Sequence, residues 1–310
     1  MHICPRGVRH AIGLVLLLGS PTALVAQALP VVDSVRLLRD LSVLAHDSMQ
    51  GRAPGTVGSG RARAFLEREL SGSGARSLGG GQAQPFAWAE GSGVNLIGTV
   101  PGRGNNDQVI VLSAHYDHVG VRDGQIFNGA DDNASGTAAV LEIARRVAAD
   151  PLRHTLVVAL LDAEERGSRG ARAFVAEPPV PLDRIALNVN LDMVARTSGV
   201  LWAGGAFHTP SLRPVLEEVA VRAPLTLRLG HDRPGAPEGD DWTHQSDHGV
   251  FQELGIPFVY FGVDDHPDYH LPTDDLERVD PGEYVASVRT ILMGLRALDA
   301  ALPLPVAPPR

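Results

Sequence analysis

The sequence predicts an α/β protein with a mostly parallel, mixed central sheet and helices on both of its faces. Short apolar runs alternate with segments of helical periodicity from about residue 94 to residue 300, which is typical of parallel strands joined by crossover helices. The run 155–161 is apolar throughout, as expected of a strand buried on both faces. The chain has 310 residues and is 44% hydrophobic, which is enough for a large core.

Each element is predicted from its periodicity and from the residues that bound it. Helices are predicted where apolar residues recur at helical spacing or where turn residues bound a segment, and they cover 31–45, 61–70, 137–149, 167–176, 211–222 and 283–300. Strands are predicted for short apolar runs between turns, and they cover 94–100, 109–112, 155–161, 185–191 and 256–261. Loops are predicted for 49–60, for the irregular region 79–93 and for the long stretch 230–249.

The first 28 residues have the order of a secretory signal peptide. Arg6 and Arg9 precede the apolar run 11–18, and Ala26-Gln27-Ala28 supplies a small-residue cleavage site. The apolar run is far shorter than the ~20 residues of a spanning helix, so no stable membrane insertion is expected after cleavage. We expect export to the periplasm or the extracellular space, one domain over 29–302 in which 29–100 leads into the sheet, and a Pro-rich tail over 303–310.

Composition excludes some functions. The net charge is −9 and the chain has no lysine and no basic stripe, so nucleic acid is not an expected partner. Cys4 is the only cysteine and lies in the predicted signal peptide. The mature protein therefore has neither a disulfide nor a thiol nucleophile.

Histidines and carboxylates follow four of the predicted strands. They are His115 and Asp117; Asp162, Glu164 and Glu165; Asp192; and His266, Asp268 and His270. Asp131 and Asp132 add a fifth contribution before the helix 137–149. Because α/β sheets bind ligands at the carboxyl ends of their strands, we expect these side chains to converge. Histidines and several carboxylates without a thiol suit zinc, and the number of carboxylates suits two ions that share a bridge.

Each candidate also has an ordinary structural interpretation. Asp131 or Asp132 alone is typical of a helix N-cap, and Glu164-Glu165 is compatible with a charged turn. His118, His208 and His244 are interpreted as structural or surface residues, because no set of ligands is adjacent to them in the sequence. The convergence of five contributions favours a metal site over solvated strand ends.

Six ordered motifs carry a resemblance to a known family. They are His115-Tyr116-Asp117, 129–136, 163–170, 190–193, Ser246-Asp247-His248 and 269–275. In this order they resemble the secreted dizinc aminopeptidase family, which also includes glutamate carboxypeptidase II, plasma glutamate carboxypeptidase and the glutaminyl-peptide cyclotransferases. The resemblance covers roughly residues 35–300. It implies a zinc peptidase fold and a secreted exopeptidase that removes N-terminal residues from peptides.

The resemblance also implies the metal ligands. Two zinc ions per chain would share Asp132 as a bridge. His115 and Asp192 would complete one site, and Glu165 and His270 would complete the other.

Three further residues receive roles from the same resemblance. Glu164 would be the general base, and Asp117 would be the acceptor that orients the ring of His115. Tyr269 would support the tetrahedral intermediate by hydrogen bonding. Members of the family hold the peptide bond after the bridging aspartate in the cis form, which implies a cis bond between Asp132 and Asn133.

Three other functions stay open. A carboxypeptidase or dipeptidase needs a cation for the substrate carboxylate, which Arg196 or Arg233 would supply, whereas an aminopeptidase needs acidic groups such as Glu164 and Asp192 near the free amine. A cyclotransferase uses a single zinc and is less favoured, since the five-ligand set is complete. A non-catalytic, receptor-like protein of the same fold would lack ligands, and none is missing here.

Overall fold

The computed structural model describes residues 1–2, 29–77, 81–104, 107–237 and 239–304. The predicted signal peptide lies outside the described residues except for its first two positions, and so does most of the predicted C-terminal tail. Within the described part of the chain, no helix has both the length and the apolar character needed to cross a membrane.

An eight-stranded mixed sheet forms the centre of the fold. In spatial order its strands are β1 (Ala83–Trp88), β2 (Gly91–Val100), β6 (Thr155–Leu161), β3 (Val109–His115), β7 (Ile185–Leu191), β10 (Phe258–Gly262), β8 (Val200–Gly204) and β9 (Thr226–Leu229). The four central strands β6, β3, β7 and β10 are parallel, and antiparallel pairings flank them on both sides. Strands β4 (Gly120–Arg122) and β5 (Gln125–Phe127) form a separate hairpin. The predicted mostly parallel, mixed sheet is confirmed.

Helices cover both faces of this sheet, as predicted. The described residues form α1 (Ser34–Leu44), α2 (Val57–Ser71), α3 (Gly136–Ala149), α4 (Arg169–Ala176), α5 (Arg213–Arg222), α6 (His248–Glu253) and α7 (Pro281–Ala301). Successive strand residues point to opposite faces. Ile110 therefore enters the larger core with α1, α3 and α7, whereas Val111 enters the second core with Phe174 of α4 and Phe251 of α6.

The structure adds strands that the periodicity missed, and they lie towards the edges of the sheet. Within the predicted irregular region, β1 is half exposed and contains Pro85. Strands β8 and β9 have only five and four residues. Short or half-exposed edge strands carry little apolar signal, which explains why they were not predicted.

Most predicted boundaries shift by a few residues, and two of the shifts are informative. The predicted loop 49–60 is wrong in part, because α2 begins at Val57, where the Thr56 side chain accepts a hydrogen bond from the backbone of Ser59 as an N-cap. Strand β3 continues three residues beyond the predicted end and stops at His115. That extension makes a candidate ligand the last residue of a central strand.

Candidate metal centre

The parallel strands bring the five predicted ligands to one edge of the sheet. His115 ends β3, and Asp192 follows β7 directly. Glu165 lies in the 3₁₀ turn Glu164–Arg166 after β6, and His270 lies in the segment after β10. Asp132 lies in the turn Ala130–Ser135, which leads into α3. This is the edge at which open α/β sheets bind ligands.

His115, Asp132 and Asp192 form a first ligand group. His115 Nε2 lies 3.2 Å from Asp192 Oδ1 and 3.5 Å from Asp132 Oδ1. All three residues are buried, and their ligand atoms lie within 4.8 Å of one another.

A second ligand group surrounds the other oxygen of Asp132. His270 Nε2 lies 2.9 Å from Asp132 Oδ2 and 3.3 Å from Glu165 Oε1. His118 Nδ1 lies 2.7 Å from the same Glu165 oxygen, and the four residues have ligand atoms within 4.8 Å of one another. Asp132 therefore directs one carboxylate oxygen to each group.

The second group places His118, which we interpret from the sequence as a structural or surface residue, among the candidate ligands. Its side chain is fully buried and lies among candidate ligands. The signal in the sequence was its place three residues after His115, on the segment that leaves β3. His208 lies outside both groups and contacts Thr243 at 3.0 Å through Nε2.

The donor set fits divalent metal ions. Glu165 Oε1 and His118 Nδ1 are buried and lie 2.7 Å apart, but neither atom forms a well-directed hydrogen bond among the described residues. Buried polar atoms without a partner are rare and destabilising. Imidazole and carboxylate groups are ligands of zinc, and a metal ion would satisfy these atoms.

The turn that carries Asp132 is held by Asp274. The Asp274 carboxylate accepts the backbone N–H groups of Asp131 at 3.1 Å and of Asp132 at 3.0 Å. Burial raises the pKa of Asp274 to about 6. The peptide bond between Asp132 and Asn133 is cis, as the resemblance implies.

Asn133 connects this turn to the segment that carries Asp192. Its Nδ2 donates to the backbone oxygen of Leu191 at 2.9 Å, and its Oδ1 accepts the backbone N–H of Met193 at 3.2 Å. The Asn133 amide therefore contacts the residues on both sides of Asp192. This contact sets the position of one ligand relative to the other.

Asp117 organises both His115 and the two glutamates. His115 Nδ1 lies 3.2 Å from the backbone oxygen of Asp117 and 3.6 Å from its carboxylate. The carboxylate accepts the backbone N–H groups of Glu164 at 3.0 Å and of Glu165 at 3.3 Å. The backbone oxygen is thus the nearer acceptor for the ring, and the carboxylate orients the turn that carries Glu164.

Glu164 and Asp247 are two neighbouring carboxyl groups with raised pKa values. Burial raises the pKa of Glu164 well above its usual range; His115 opposes this shift, and Asp247 and Asp192 add to it. Asp247 is fully buried, and neither of its oxygens has a hydrogen-bond partner among the described residues. Burial raises its pKa to about 7. The motif Ser246-Asp247-His248 was the sequence signal for this residue, to which no role was assigned.

Tyr269 lies beside the second group. Its ring stacks on that of His270, with centroids 4.0 Å apart. Burial and the nearby Asp132 raise the pKa of its hydroxyl above the usual range, so the phenol is protonated at neutral pH. It can therefore act as a hydrogen-bond donor.

Four other acidic or histidine candidates lie outside both groups: Asp131, Asp162, His266 and Asp268. Asp162 accepts a hydrogen bond from the Tyr116 hydroxyl at 2.9 Å. Asp131 lies 3.3 Å from His266 Nε2, and Asp268 forms an ion pair with Arg196 at 2.7 Å. These residues surround the centre and make their own contacts.

The fold and these two groups define a class: an α/β protein with a candidate dinuclear metal centre at the carboxyl ends of its parallel strands. The chain belongs to peptidase family M28, whose sequence model matches residues 95–295, more than half of the chain.

Individual proteins are similar to this chain in sequence or in structure. An aminopeptidase of Bacillus subtilis is 29% identical over 195 residues, which cover 60% of this chain and 40% of that protein. A probable glutamate carboxypeptidase of Arabidopsis thaliana is 29% identical over 206 residues, which cover 59% and 26%. The crystal structure of a zinc aminopeptidase from Bacillus subtilis aligns with a TM-score of 0.54 at 25% identity, over 68% of this chain and 51% of that chain. The chain spans about half the length of these relatives or less.

Proposed function

We propose that this chain is a secreted, dizinc exopeptidase that removes N-terminal residues from peptides. The observation that carries the proposal is the pair of ligand groups that share the two oxygens of Asp132. Membership of peptidase family M28 and similarity to an aminopeptidase support a peptide substrate.

His115 and Asp192 would hold one zinc ion, and Glu165 and His270 would hold the other. Asp132 would bind both ions. When bound, a pair of zinc ions lowers the pKa of a water molecule and polarises a carbonyl group. The protein contributes the spacing of these ligands, which Asp274 and Asn133 hold through backbone contacts.

Glu164 is proposed as the general base. A base is most effective when its pKa lies near the working pH, because it must both accept a proton and release it. Burial and the neighbouring Asp247 raise the pKa of Glu164 in that direction. The protonated Tyr269 beside His270 would donate a hydrogen bond to the oxygen on which negative charge develops.

The charges around the centre favour a substrate amine over a substrate carboxylate. Glu164, Asp192 and Asp247 are acidic, and the negative charges of Asp247 and Asp192 raise the pKa of Glu164. Arg196, a candidate to bind a carboxylate, is already paired with Asp268 at 2.7 Å. The similarity to a probable glutamate carboxypeptidase makes carboxypeptidase activity the second candidate.

The test compares three substrate classes with purified protein that begins at Leu29. Aminoacyl p-nitroanilides should be hydrolysed in the presence of zinc, N-blocked peptides should not be, and N-terminal glutamine peptides should not cyclise. Treatment with 1,10-phenanthroline should abolish activity, and zinc should restore it. Cleavage of N-blocked peptides from the carboxyl end would establish the second candidate. Full activity with a single ion per chain would favour a cyclotransferase.

Export is tested separately. Expression of the full chain in a bacterium should release a protein whose N-terminal sequence begins at Leu29. An intact N-terminus in the cytoplasmic fraction alone would contradict the proposed signal peptide.

A further inference from the structure

We propose that His118 is a sixth metal ligand, which gives one ion four protein ligands and leaves the other ion with three. The inference rests on the proposed metal centre and adds a residue to its five ligands. It assigns different roles to the two ion positions.

The ring of His118 is fully buried, and its Nε2 has no hydrogen-bond partner among the described residues. Its Nδ1 lies 2.7 Å from Glu165 Oε1 but does not form a well-directed hydrogen bond. Glu165 Oε1, which faces Nδ1 of this ring, also lacks one. Nδ1 and Glu165 Oε1 would repel each other if both presented lone pairs, so a positive group, either a proton or a metal ion, is expected between them.

The atoms around the second oxygen of Asp132 lie at the spacing of metal ligands. His118 Nδ1 lies 2.7 Å from Glu165 Oε1 and 3.6 Å from Asp132 Oδ2. Ligand atoms that bind one tetrahedral zinc ion at about 2.0 to 2.2 Å lie roughly 3.3 Å from each other. The distances from His270 Nε2 to the same two oxygens are 3.3 and 2.9 Å. Both imidazoles therefore face the same two oxygens at ligand spacing.

Close packing against Gly129 holds the ring of His118 in place. A Cβ atom on Gly129 would lie 2.5 Å from Cδ2 and 2.6 Å from Cγ of His118. Gly129 also has φ +55°, a conformation that favours glycine. Only a residue without a side chain leaves room for this imidazole beside the turn that carries Asp132.

The consequence is an asymmetric centre. Zinc ions with four protein ligands are typically structural, whereas catalytic zinc ions keep an open position beside three protein ligands. The group of His118, Asp132, Glu165 and His270 has four ligands, and the group of His115, Asp132 and Asp192 has three. The inference therefore assigns the more tightly held ion to the first of these groups and the more open position to the second.

The main test is stepwise zinc binding by His118→Ala, measured by competition with a chromophoric chelator. We expect one of the two ions to bind about 10- to 100-fold more weakly, the range found for residues that support a metal site, and the other to change less than about twofold. His154→Ala is the matched control, because His154 is also buried but pairs with Asp299 at 2.8 Å, outside both ligand groups. Unchanged affinity for both ions in His118→Ala, or an equal loss in His154→Ala, would overturn the inference.

A second variant separates a ligand from a packing residue. His118→Cys supplies a different ligand at the same place, and Cys4 is the only cysteine of the natural chain, so protein that begins at Leu29 has no other thiol. After Co²⁺ loading, this variant should show a thiolate-to-cobalt charge-transfer band, and His118→Leu should not. No such band in folded His118→Cys would refute a ligand at position 118.

Different results would refute the metal centre and the sixth ligand. Wild-type protein that binds no zinc would refute the metal centre itself. Wild-type protein that binds two ions, together with His118 variants that bind them equally well, would refute only the sixth ligand.

Discussion

The Asp274 carboxylate accepts the backbone N–H of Asp132 at 3.0 Å, so a residue near the C-terminal end of the matched region holds the proposed bridging ligand. It also accepts the N–H of Asp131, and both contacts are buried. The turn that carries Asp132 thus depends on a carboxylate more than 140 residues away in the sequence.

Asp274→Ala should weaken zinc binding without removing a ligand. The loss of both backbone contacts frees the turn, and residues that orient metal ligands typically contribute about 10- to 100-fold in affinity. Stepwise zinc titration should show weaker binding of both ions, since the proposed bridge serves both. Asp183→Ala, at an exposed carboxylate, is the control. Wild-type affinity in Asp274→Ala would show that the turn keeps its position without this contact.

Glu164→Gln and Glu165→Gln should lose activity for different reasons. Glutamine at position 164 keeps the size of the side chain but cannot accept the proton, so kcat should fall by about 10²- to 10⁴-fold with near-normal zinc content. Glutamine at position 165 should lower zinc occupancy, and added zinc should restore part of the activity. Measurement of kcat and bound zinc for both variants checks the assignment. A Glu164→Gln protein that loses zinc but turns over normally in excess zinc would refute the general base.

Asp247→Asn should shift the acidic limb of the kcat/KM profile to lower pH. Burial is the main cause of the raised pKa of Glu164, and the negative charge of Asp247 raises it further. Asp247 is ionised only near and above its own pKa of about 7, so removal of its charge lowers the pKa of Glu164 in that range and should move only the part of the limb that lies near or above pH 7. Asp183→Asn should leave the profile unchanged. A shift to higher pH in Asp247→Asn would contradict the electrostatic coupling.

Arg52→Met should destabilise the protein strongly. Arg52 is fully buried and donates hydrogen bonds to backbone oxygens of Tyr116, Leu44, Asn128 and Gly129 at 2.6 to 3.0 Å. Loss of the guanidinium leaves these buried acceptors unpaired, which should lower the free energy of unfolding by more than about 3 kcal/mol.

Urea denaturation of the metal-free protein measures this loss. Arg61→Met is the control, because Arg61 is exposed to solvent and donates a hydrogen bond to the backbone of Ser48 at 2.7 Å. Equal stability losses in the two variants would mean that the buried contacts of Arg52 add little.

Local sequence signals determined the central strands and the candidate ligands. β6 and β7 have the predicted bounds, because a strand buried on both faces is apolar at successive positions and neighbouring turns end it. His115 and Asp192 were predicted for the same reason, since each lies at the end of such a run. These signals can be detected from residues that are neighbours in the sequence.

Only the tertiary structure decided which distant residues join the centre. His118 and Arg52 look like ordinary polar residues in the sequence, and Asp247 lies in a motif with no role assigned from the sequence. The importance of all three comes from burial and from partners supplied by other elements. The edge strands β1 and β9, and β8 next to β9, likewise form because neighbouring strands offer hydrogen-bonding partners. Burial and long-range pairing depend on how the sheet brings its strand ends together, and this arrangement cannot be deduced from local periodicity.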